Sequence, residues 1–316
     1  MTRVAAIDCG TNSIRLLIAD RADGQLTDVT RLMEVVRLGQ GVDRTGQFDP
    51  VALERTLQAT RRYAELCREH EVEAVRFVAT SATRDASNRD EFLGGVRSAL
   101  GVDAEVISGA EEASLSFAGA VSILDEAAPG DRLVVDIGGG STELVLGAGA
   151  TPDASISLDM GCVRMTERHL HDDPPTDAQI SSAVADVRAA LDRAAAEVPM
   201  DRVGTIVGVA GSVTTVTAHA LGLESYQRER INATRLPIAQ VRAACAELLA
   251  MPRTQRAGLG FMHPGRVDVI GAGALIWSEV LARVAAEVCA AGGDLSEVLT
   301  SEHDILDGIA LSVPAR

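Results

Sequence analysis

The chain has 316 residues and a formal net charge of −16, and all 29 of its basic residues are Arg. Schiff-base enzymes, Walker A loops and protein kinases are excluded, because each needs a lysine amine that a guanidinium does not replace. The acidic balance also argues against a protein that coats nucleic acid, which needs a broad basic face, but it is compatible with a small anionic substrate in a pocket.

The first part of the sequence has the strand and helix order of an α/β domain. Two apolar runs at its start read as strands joined by a turn that contains Gly10, and Asp8 closes the first strand. Pro50 suits the first turn of a helix. The predicted strands are residues 4–8, 14–19, 33–38, 74–79 and 104–107, and the predicted helices are residues 50–69, 88–100 and 109–124.

The second part of the sequence repeats the opening of the first, which indicates a duplicated chain. A shift of 128 residues superimposes Asp8 on Asp136, Gly10 on Gly138, Ser13 on Ser141 and Leu16 on Leu144. The predicted strands are residues 132–136, 143–146, 154–158, 205–210 and 295–299, and the predicted helices are residues 177–197, 213–221, 237–250, 267–289 and 304–311.

The segment 125–131, with its Pro129-Gly130 pair, is the best boundary between the two halves. We therefore predict one α/β domain at 1–124 and a second at 125–302. The C-terminal helix, within 303–316, can return to pack on the first domain.

Both strand–turn–strand segments carry the pattern Asp-x-Gly-x-x-Ser. Glycines let successive N–H groups converge on an anion, and hydroxyls add donors. A carboxylate repels phosphate, so Asp8 and Asp136 imply a divalent cation or a water. One such turn alone is better explained as an ordinary β-turn, but the pair favours a phosphate chain held between two domains. The candidate phosphate-binding residues are Gly10, Thr11, Asn12, Ser13, Gly138, Gly139, Gly140, Ser141 and Thr142.

These segments and several others resemble the exopolyphosphatase/guanosine pentaphosphate phosphatase (Ppx/GppA) family, in its short two-domain form. The resemblance implies a duplicated ribonuclease H-like α/β fold, that of the actin-like ATPases, with a cleft between two domains. Longer members carry a further helical domain, and we expect none here, because this sequence stops before one could fit. The segments that carry the resemblance are 6–16, 79–84, 108–113, 136–143, 161–164, 208–212 and 264–268.

The resemblance also assigns roles to single residues. Glu112 matches the catalytic glutamate that activates water; the sequence alone does not separate it from Glu111, and both also suit the first turn of a helix. Arg84 matches a phosphate-binding arginine, with a surface ion pair as its alternative. Glu143 matches a position near the metal, so that Asp8, Asp136 and Glu143 form the expected metal set.

Two further positions complete the predicted site. Gly211 and Ser212 lie at a Gly-rich strand-to-helix turn that offers N–H groups to an anion. The resemblance places Thr where this chain has Ser212, and the hydroxyl is kept. Arg15 is a secondary candidate, because strand alternation can place it on either face.

These assignments predict hydrolysis of the terminal phosphoanhydride of inorganic polyphosphate, with a preference for short chains, using Mg²⁺ or Mn²⁺. The alternatives are a guanosine pentaphosphate 5′-phosphohydrolase, a sensor that binds phosphates or nucleotides without turnover, and a kinase of the same fold. We expect a cytoplasmic homodimer that binds neither a nucleic-acid polymer nor a membrane.

Overall fold

The computed structural model describes residues 1–122, 130–149 and 151–314. The chain forms two compact units, one of residues 1–119 with 305–316 and the other of residues 120–304. Most of the predicted boundary segment, residues 125–129, lies outside the described residues.

Unit 1 is built on a five-stranded mixed sheet with the order β3-β2-β1-β4-β5. The first three strands are antiparallel neighbours, β4 runs parallel to β1, and β5 runs parallel to β4. The strands are β1 (Thr2–Cys9), β2 (Ser13–Ala22), β3 (Gln25–Val35), β4 (Ala74–Ala79) and β5 (Ala104–Val106).

Helices cover both faces of this sheet, so alternate residues of β1 enter different cores. Ala5 and Ile7 pack in the cluster that includes side chains of α2 and α4. Val4 and Ala6 pack in the cluster that includes side chains of α5 and α13. The helices of unit 1 are α1 (Val42–Thr45), α2 (Pro50–Glu69), α3 (Ser81–Asp85), α4 (Arg89–Leu100), α5 (Gly109–Val121) and, from the end of the chain, α13 (Ile305–Ser312).

Unit 2 is built on a six-stranded sheet with the order β10-β11-β9-β6-β7-β8. β6, β7 and β8 are antiparallel neighbours, β9 is parallel to β6 and β11 is parallel to β9. β10 adds an antiparallel edge strand. The strands are β6 (Asp131–Ile137), β7 (Thr142–Gly147), β8 (Ala154–Leu158), β9 (Val203–Val209), β10 (Thr234–Pro237) and β11 (Glu297–Thr300).

The longest helix of unit 2, α12, has 21 residues and is largely buried in the main core. Neither α12 nor any other helix in the described part of the chain is long and apolar enough to span a membrane. The helices of unit 2 are α6 (Cys162–His169), α7 (Asp177–Ala195), α8 (Ala210–Ala220), α9 (Arg228–Ile231), α10 (Ile238–Ala250), α11 (Arg253–Ala257) and α12 (Ile270–Ala290).

The two sheets share one topology. The order β8-β7-β6-β9-β11 in unit 2 repeats β3-β2-β1-β4-β5 of unit 1, with the same strand directions. The register repeats as well: Asp8 pairs with Arg15 across β1 and β2, and Asp136 pairs with Glu143 across β6 and β7. The predicted fold class, a duplicated ribonuclease H-like arrangement of the actin-like type, is confirmed.

A buried ion pair joins α13 to the sheet of unit 1. Arg31 on β3 donates to both carboxylate oxygens of Asp307, at 2.5 and 3.1 Å, and Asp307 is 1% exposed. Removing one partner of such a pair leaves a charge in a poorly solvated site.

We therefore expect Arg31→Met to lower the free energy of unfolding by about 3 kcal/mol, measured by urea titration with circular dichroism. Arg61→Met is the matched control, because the Arg61–Glu54 pair is more than half exposed on both sides and should contribute little. Equal midpoints for the two variants would contradict the expectation.

Candidate active site

The first turn of unit 1 follows β1 and is closed by a hydrogen bond from the Gly10 N–H to the Ser13 carbonyl, 3.0 Å. Backbone amides of the segment 36–39 donate to the carbonyl oxygens of Asn12 and Thr11 at 2.8–3.1 Å. These carbonyl oxygens therefore already accept hydrogen bonds from the protein's own backbone, and we call them occupied. An anion approaching the turn meets amides and hydroxyls in place of repelling carbonyl oxygens.

The segment 36–39 approaches the turn very closely. A Cβ added at Gly39 would lie 2.3 Å from the Thr11 Cγ2 atom, so this position requires glycine. The Thr11 hydroxyl is buried and has no hydrogen-bond partner among the described residues. A buried hydroxyl of this kind is costly unless a ligand or water bonds it, and this fits the predicted phosphate site.

Asp8 and Arg15 form an ion pair at the end of the first hairpin. Arg15 Nε and one terminal guanidinium nitrogen lie 2.9 and 2.6 Å from Asp8 Oδ2, and Asp8 is 4% exposed. Strand alternation left the direction of Arg15 open; the register places it on Asp8. Asp8 therefore has a cationic partner from the protein itself.

Glu112 is buried in the first turn of α5, and its backbone N–H donates to the Ser108 carbonyl. A guanidinium nitrogen of Arg84 donates to Glu112 Oε2 at 2.7 Å and to the Ile107 carbonyl at 3.1 Å. Burial raises the pKa of Glu112, the charge of Arg84 and a hydrogen bond from Thr80 oppose this rise, and the charge of Asp8 adds to it. The result is a carboxylate that accepts a proton more readily than an exposed glutamate.

Burial and pairing distinguish Glu111 from Glu112. The Glu111 side chain is 46% exposed and pairs with Arg76 at 2.7 Å, whereas the Glu112 side chain is 10% exposed and pairs with Arg84. Of the two, Glu112 is therefore the one shielded from solvent.

The second turn, in unit 2, repeats the backbone geometry of the first. The Gly138 N–H donates to the Ser141 carbonyl at 3.0 Å, the same bond and length as in unit 1. Amides at the start of α6 donate to the carbonyls of Gly138 and Gly139 at 2.9–3.2 Å, and Arg164 Nε donates to the Gly140 carbonyl at 2.8 Å. Here too the turn carbonyls are occupied.

Gly161, just before α6, plays the part in unit 2 that Gly39 plays in unit 1. A Cβ at Gly161 would lie 2.3 Å from the carbonyl carbon and oxygen of Gly139. Any side chain at Gly161 would push α6 off the turn.

The acidic residues of unit 2 face each other across two strands. Asp136 and Glu143 are cross-strand neighbours, 6% and 1% exposed. Ser157 donates its hydroxyl to Glu143 Oε1 at 2.7 Å. The Thr142 hydroxyl donates to the Met160 carbonyl. The phosphate-binding role predicted for Thr142 would therefore require its backbone and not its hydroxyl.

The third turn joins β9 to α8 and lies against residues that the sequence did not single out. The Arg266 guanidinium lies against Gly211, where an added Cβ would come within 2.4 Å of it, and Arg266 also donates to Thr215 at 3.3 Å. Burial raises the pKa of the Cys162 thiol, and the neighbouring Ser212 hydroxyl opposes this rise. Because Cys162 also donates its N–H to the second turn, it connects the second and third turns.

Arg266 and Cys162 could have been found from sequence, since both lie in segments that carry the family resemblance, 161–164 and 264–268. Thr80 lies in such a segment as well. Within unit 1 the structure thus gathers the first turn, Asp8, Arg15, Arg84 and Glu112, and within unit 2 the second and third turns, Asp136 and Glu143. The predicted cleft between the domains stays a prediction.

The carboxylates do not form a preassembled metal cage. Within 1–122, 130–149 and 151–314, no group of three or more His, Cys, Asp or Glu side chains is arranged to hold a metal ion. Mg²⁺ commonly keeps several waters and is held by one or two carboxylates together with substrate phosphates. Asp8 in unit 1, or Asp136 with Glu143 in unit 2, fits that sparse mode.

The family model for Ppx/GppA phosphatases matches residues 17–295, which is most of the sequence. The chain belongs to the Ppx/GppA phosphatase family. The match covers both units and includes Arg84, Glu112, Asp136 and the third turn, although Asp8 and the first turn lie before its start.

Individual relatives align over nearly the whole sequence. The Mycobacterium tuberculosis protein named exopolyphosphatase 2 is 52% identical, with 99% of each chain aligned. A solved exopolyphosphatase-like protein is 47% identical, with a TM-score of 0.95 and 98% of each chain covered. The Aeromonas salmonicida guanosine-5′-triphosphate,3′-diphosphate pyrophosphatase is 31% identical over 95% of this chain, which spans 60% of that longer protein.

The environment of Glu112 predicts a pH-dependent effect on stability. Because the folded state raises the Glu112 pKa, folding favours the protonated form, and stability is lost as pH rises from the ordinary glutamate pKa through the raised one. We expect Glu112→Gln, which removes this titration, to gain stability over the original chain as pH rises from 4.5 to 7.5.

The measurement is the difference in Tm between the two proteins across that pH range. A Tm difference that stays constant, or shrinks toward pH 7.5, would rule out a raised pKa for Glu112. Glu111→Gln, at an exposed and paired carboxylate, is the control.

Proposed function

We propose that this protein is an exopolyphosphatase, which hydrolyses the terminal phosphoanhydride bond of inorganic polyphosphate. The observation that carries the proposal is the buried Glu112 carboxylate, which pairs with Arg84 at 2.7 Å and whose pKa is raised by burial. Full-length similarity to a protein named exopolyphosphatase 2 supports polyphosphate as the substrate.

Glu112 would orient the attacking water and accept its proton. Phosphoryl transfer needs a water in line with the bond to the leaving phosphate, and a carboxylate of raised pKa suits proton transfer near neutral pH. Arg84 would hold Glu112 ionised before the reaction. Its guanidinium also has donors left for oxygens of the transferred phosphoryl group, where negative charge must be stabilised.

The turns would bind the phosphates. The occupied carbonyls of both turns support this role, since they no longer offer oxygens to a cation, and the unpartnered Thr11 hydroxyl can donate to a phosphate oxygen. Gly211 and Ser212, at the start of α8, would add amides and a hydroxyl in unit 2.

Mg²⁺ or Mn²⁺ is part of the proposal. Asp8, Asp136 and Glu143 are the residues that would hold it, directly or through water. The bound ion would offset the charge of the phosphate oxygens. Arg15 already neutralises part of the Asp8 charge, and this supports a metal shared with the substrate over one fixed by protein ligands alone.

A guanosine pentaphosphate 5′-phosphohydrolase is the second candidate, favoured by the Aeromonas relatives at 31–32% identity. Both substrates end in a phosphoanhydride, so the same catalytic groups serve either. The preference for short chains, the homodimer, the cytoplasmic location and the lack of nucleic-acid or membrane partners stay predictions.

The test is phosphate release from polyphosphate of defined lengths and, side by side, from guanosine pentaphosphate. We expect release from polyphosphate with Mg²⁺, and a loss of about 100-fold to 10,000-fold in Glu112→Gln, because general base catalysis contributes about that much. Glu111→Gln is the matched control and should keep most of its activity, because a glutamine oxygen can still accept the hydrogen bond from Arg76.

Full activity in Glu112→Gln would remove Glu112 from the mechanism. Release from guanosine pentaphosphate alone would favour the second candidate. Tight binding of either substrate without release would indicate a sensor.

Arg84 also sets the pH range of activity in this proposal. Since Arg84 opposes the rise in the Glu112 pKa, Arg84→Met should raise that pKa further and move the acidic limb of the kcat profile to higher pH. The measurement is residual phosphate release between pH 5 and 9. An unmoved acidic limb would show that another group controls it.

A further inference from the structure

We infer that the C-terminal helix α13 positions Glu112, and that Gly308 is the positioning residue through which it does so. The inference rests on the proposed function only in calling Glu112 catalytic. The contacts that carry it lie entirely within unit 1.

Gly308 meets α5 backbone to backbone. A Cβ added at Gly308 would lie 1.9 Å from the Leu115 carbonyl oxygen and 2.7 Å from its carbonyl carbon. Those atoms belong to a helix backbone, so no side-chain rotation relieves the clash. Position 308 therefore fixes how closely α13 approaches α5.

Leu115 lies three residues after Glu112 on α5, and thus about one helical turn away. Helix backbone hydrogen bonds make successive turns move together, so a displacement at Leu115 also moves Glu112. The Glu112–Arg84 contact is 2.7 Å, and a displacement of about 1 Å would break it.

α13 is held firmly on its other sides, so it does not move away to relieve such a clash. Arg21 donates to the Leu311 carbonyl at 2.9 Å and to the Val313 carbonyl at 2.5 Å, at the end of the helix. Arg31 holds Asp307, next to Gly308. We therefore expect α5, and not α13, to be displaced.

A second, independent contact links the two helices. Arg76 donates to the Ser312 hydroxyl at 2.6 Å and to Glu111 Oε1 at 2.7 Å. One guanidinium thus joins the last residue of α13 to the residue beside Glu112. It also donates to Glu105, which anchors it on β5.

The experiment compares Gly308→Ala with Gly94→Ala. Gly94 lies in α4 of the same unit, and no atom comes within 4 Å of an added Cβ there, so it tests the same substitution without the contact. The readouts are the Glu112 pKa, from NMR of carbon-13-labelled glutamate assigned with Glu112→Gln, and kcat and KM for polyphosphate.

We expect Gly308→Ala to raise the Glu112 pKa, because the Arg84 contact is lengthened, and to lower kcat at least about tenfold with KM within twofold. Gly94→Ala should change neither. If Gly308→Ala does not fold, Arg76→Met provides the test, with the same direction of change in both readouts and a smaller loss of kcat.

An unchanged Glu112 pKa and kcat in folded Gly308→Ala would overturn the inference, as would a loss of activity that matches the unfolded fraction. The NMR readout is independent of turnover. If the chain releases no phosphate, the proposed function fails while the pKa shift still decides whether α13 positions Glu112.

Discussion

The buried pair of Glu112 and Arg84 is the interaction on which the candidate site in unit 1 depends. A carboxylate out of water tends to be neutral, and a neutral one would be no base. Arg84 at 2.7 Å counters this tendency, and Arg84 is itself held by the Ile107 carbonyl. Arg84 lies in the short helix α3 and Glu112 lies in the first turn of α5, so these two helix segments must lie close together.

A shared constraint explains the glycines around both turns. To present amides to an anion, a turn must have its own carbonyls satisfied elsewhere. Unit 1 uses the loop after β3 for this, and unit 2 uses the first residues of α6. Each solution has a glycine at the close contact: Gly39 lies against the Thr11 side chain, and Gly161 lies against the Gly139 backbone. The duplication kept the requirement while the supporting segment changed.

Local signals in the sequence predicted much of the fold. Helix α2 begins at Pro50 as predicted, because Pro50 and the capping Asp49 define its start. Helices α6 and α3 were missed: the position of α6 is set by distant turn carbonyls, and α3 has only five residues. The direction of Arg15 depends on strand register, and the burial that separates Glu112 from Glu111 depends on tertiary packing, so neither follows from the residues alone.

The placement of α13 also has a consequence for biosynthesis. Unit 1 consists of the first 119 residues and the segment from residue 305 onward, with all of unit 2 between them. On the ribosome the first sheet therefore emerges early but lacks one covering helix until nearly the whole chain has been made. Unit 2 is contiguous and has all its own segments sooner. Unit 1 is thus begun first and completed last. The apolar sheet face that α13 covers stays without this helix while the about 185 residues of unit 2 are synthesised.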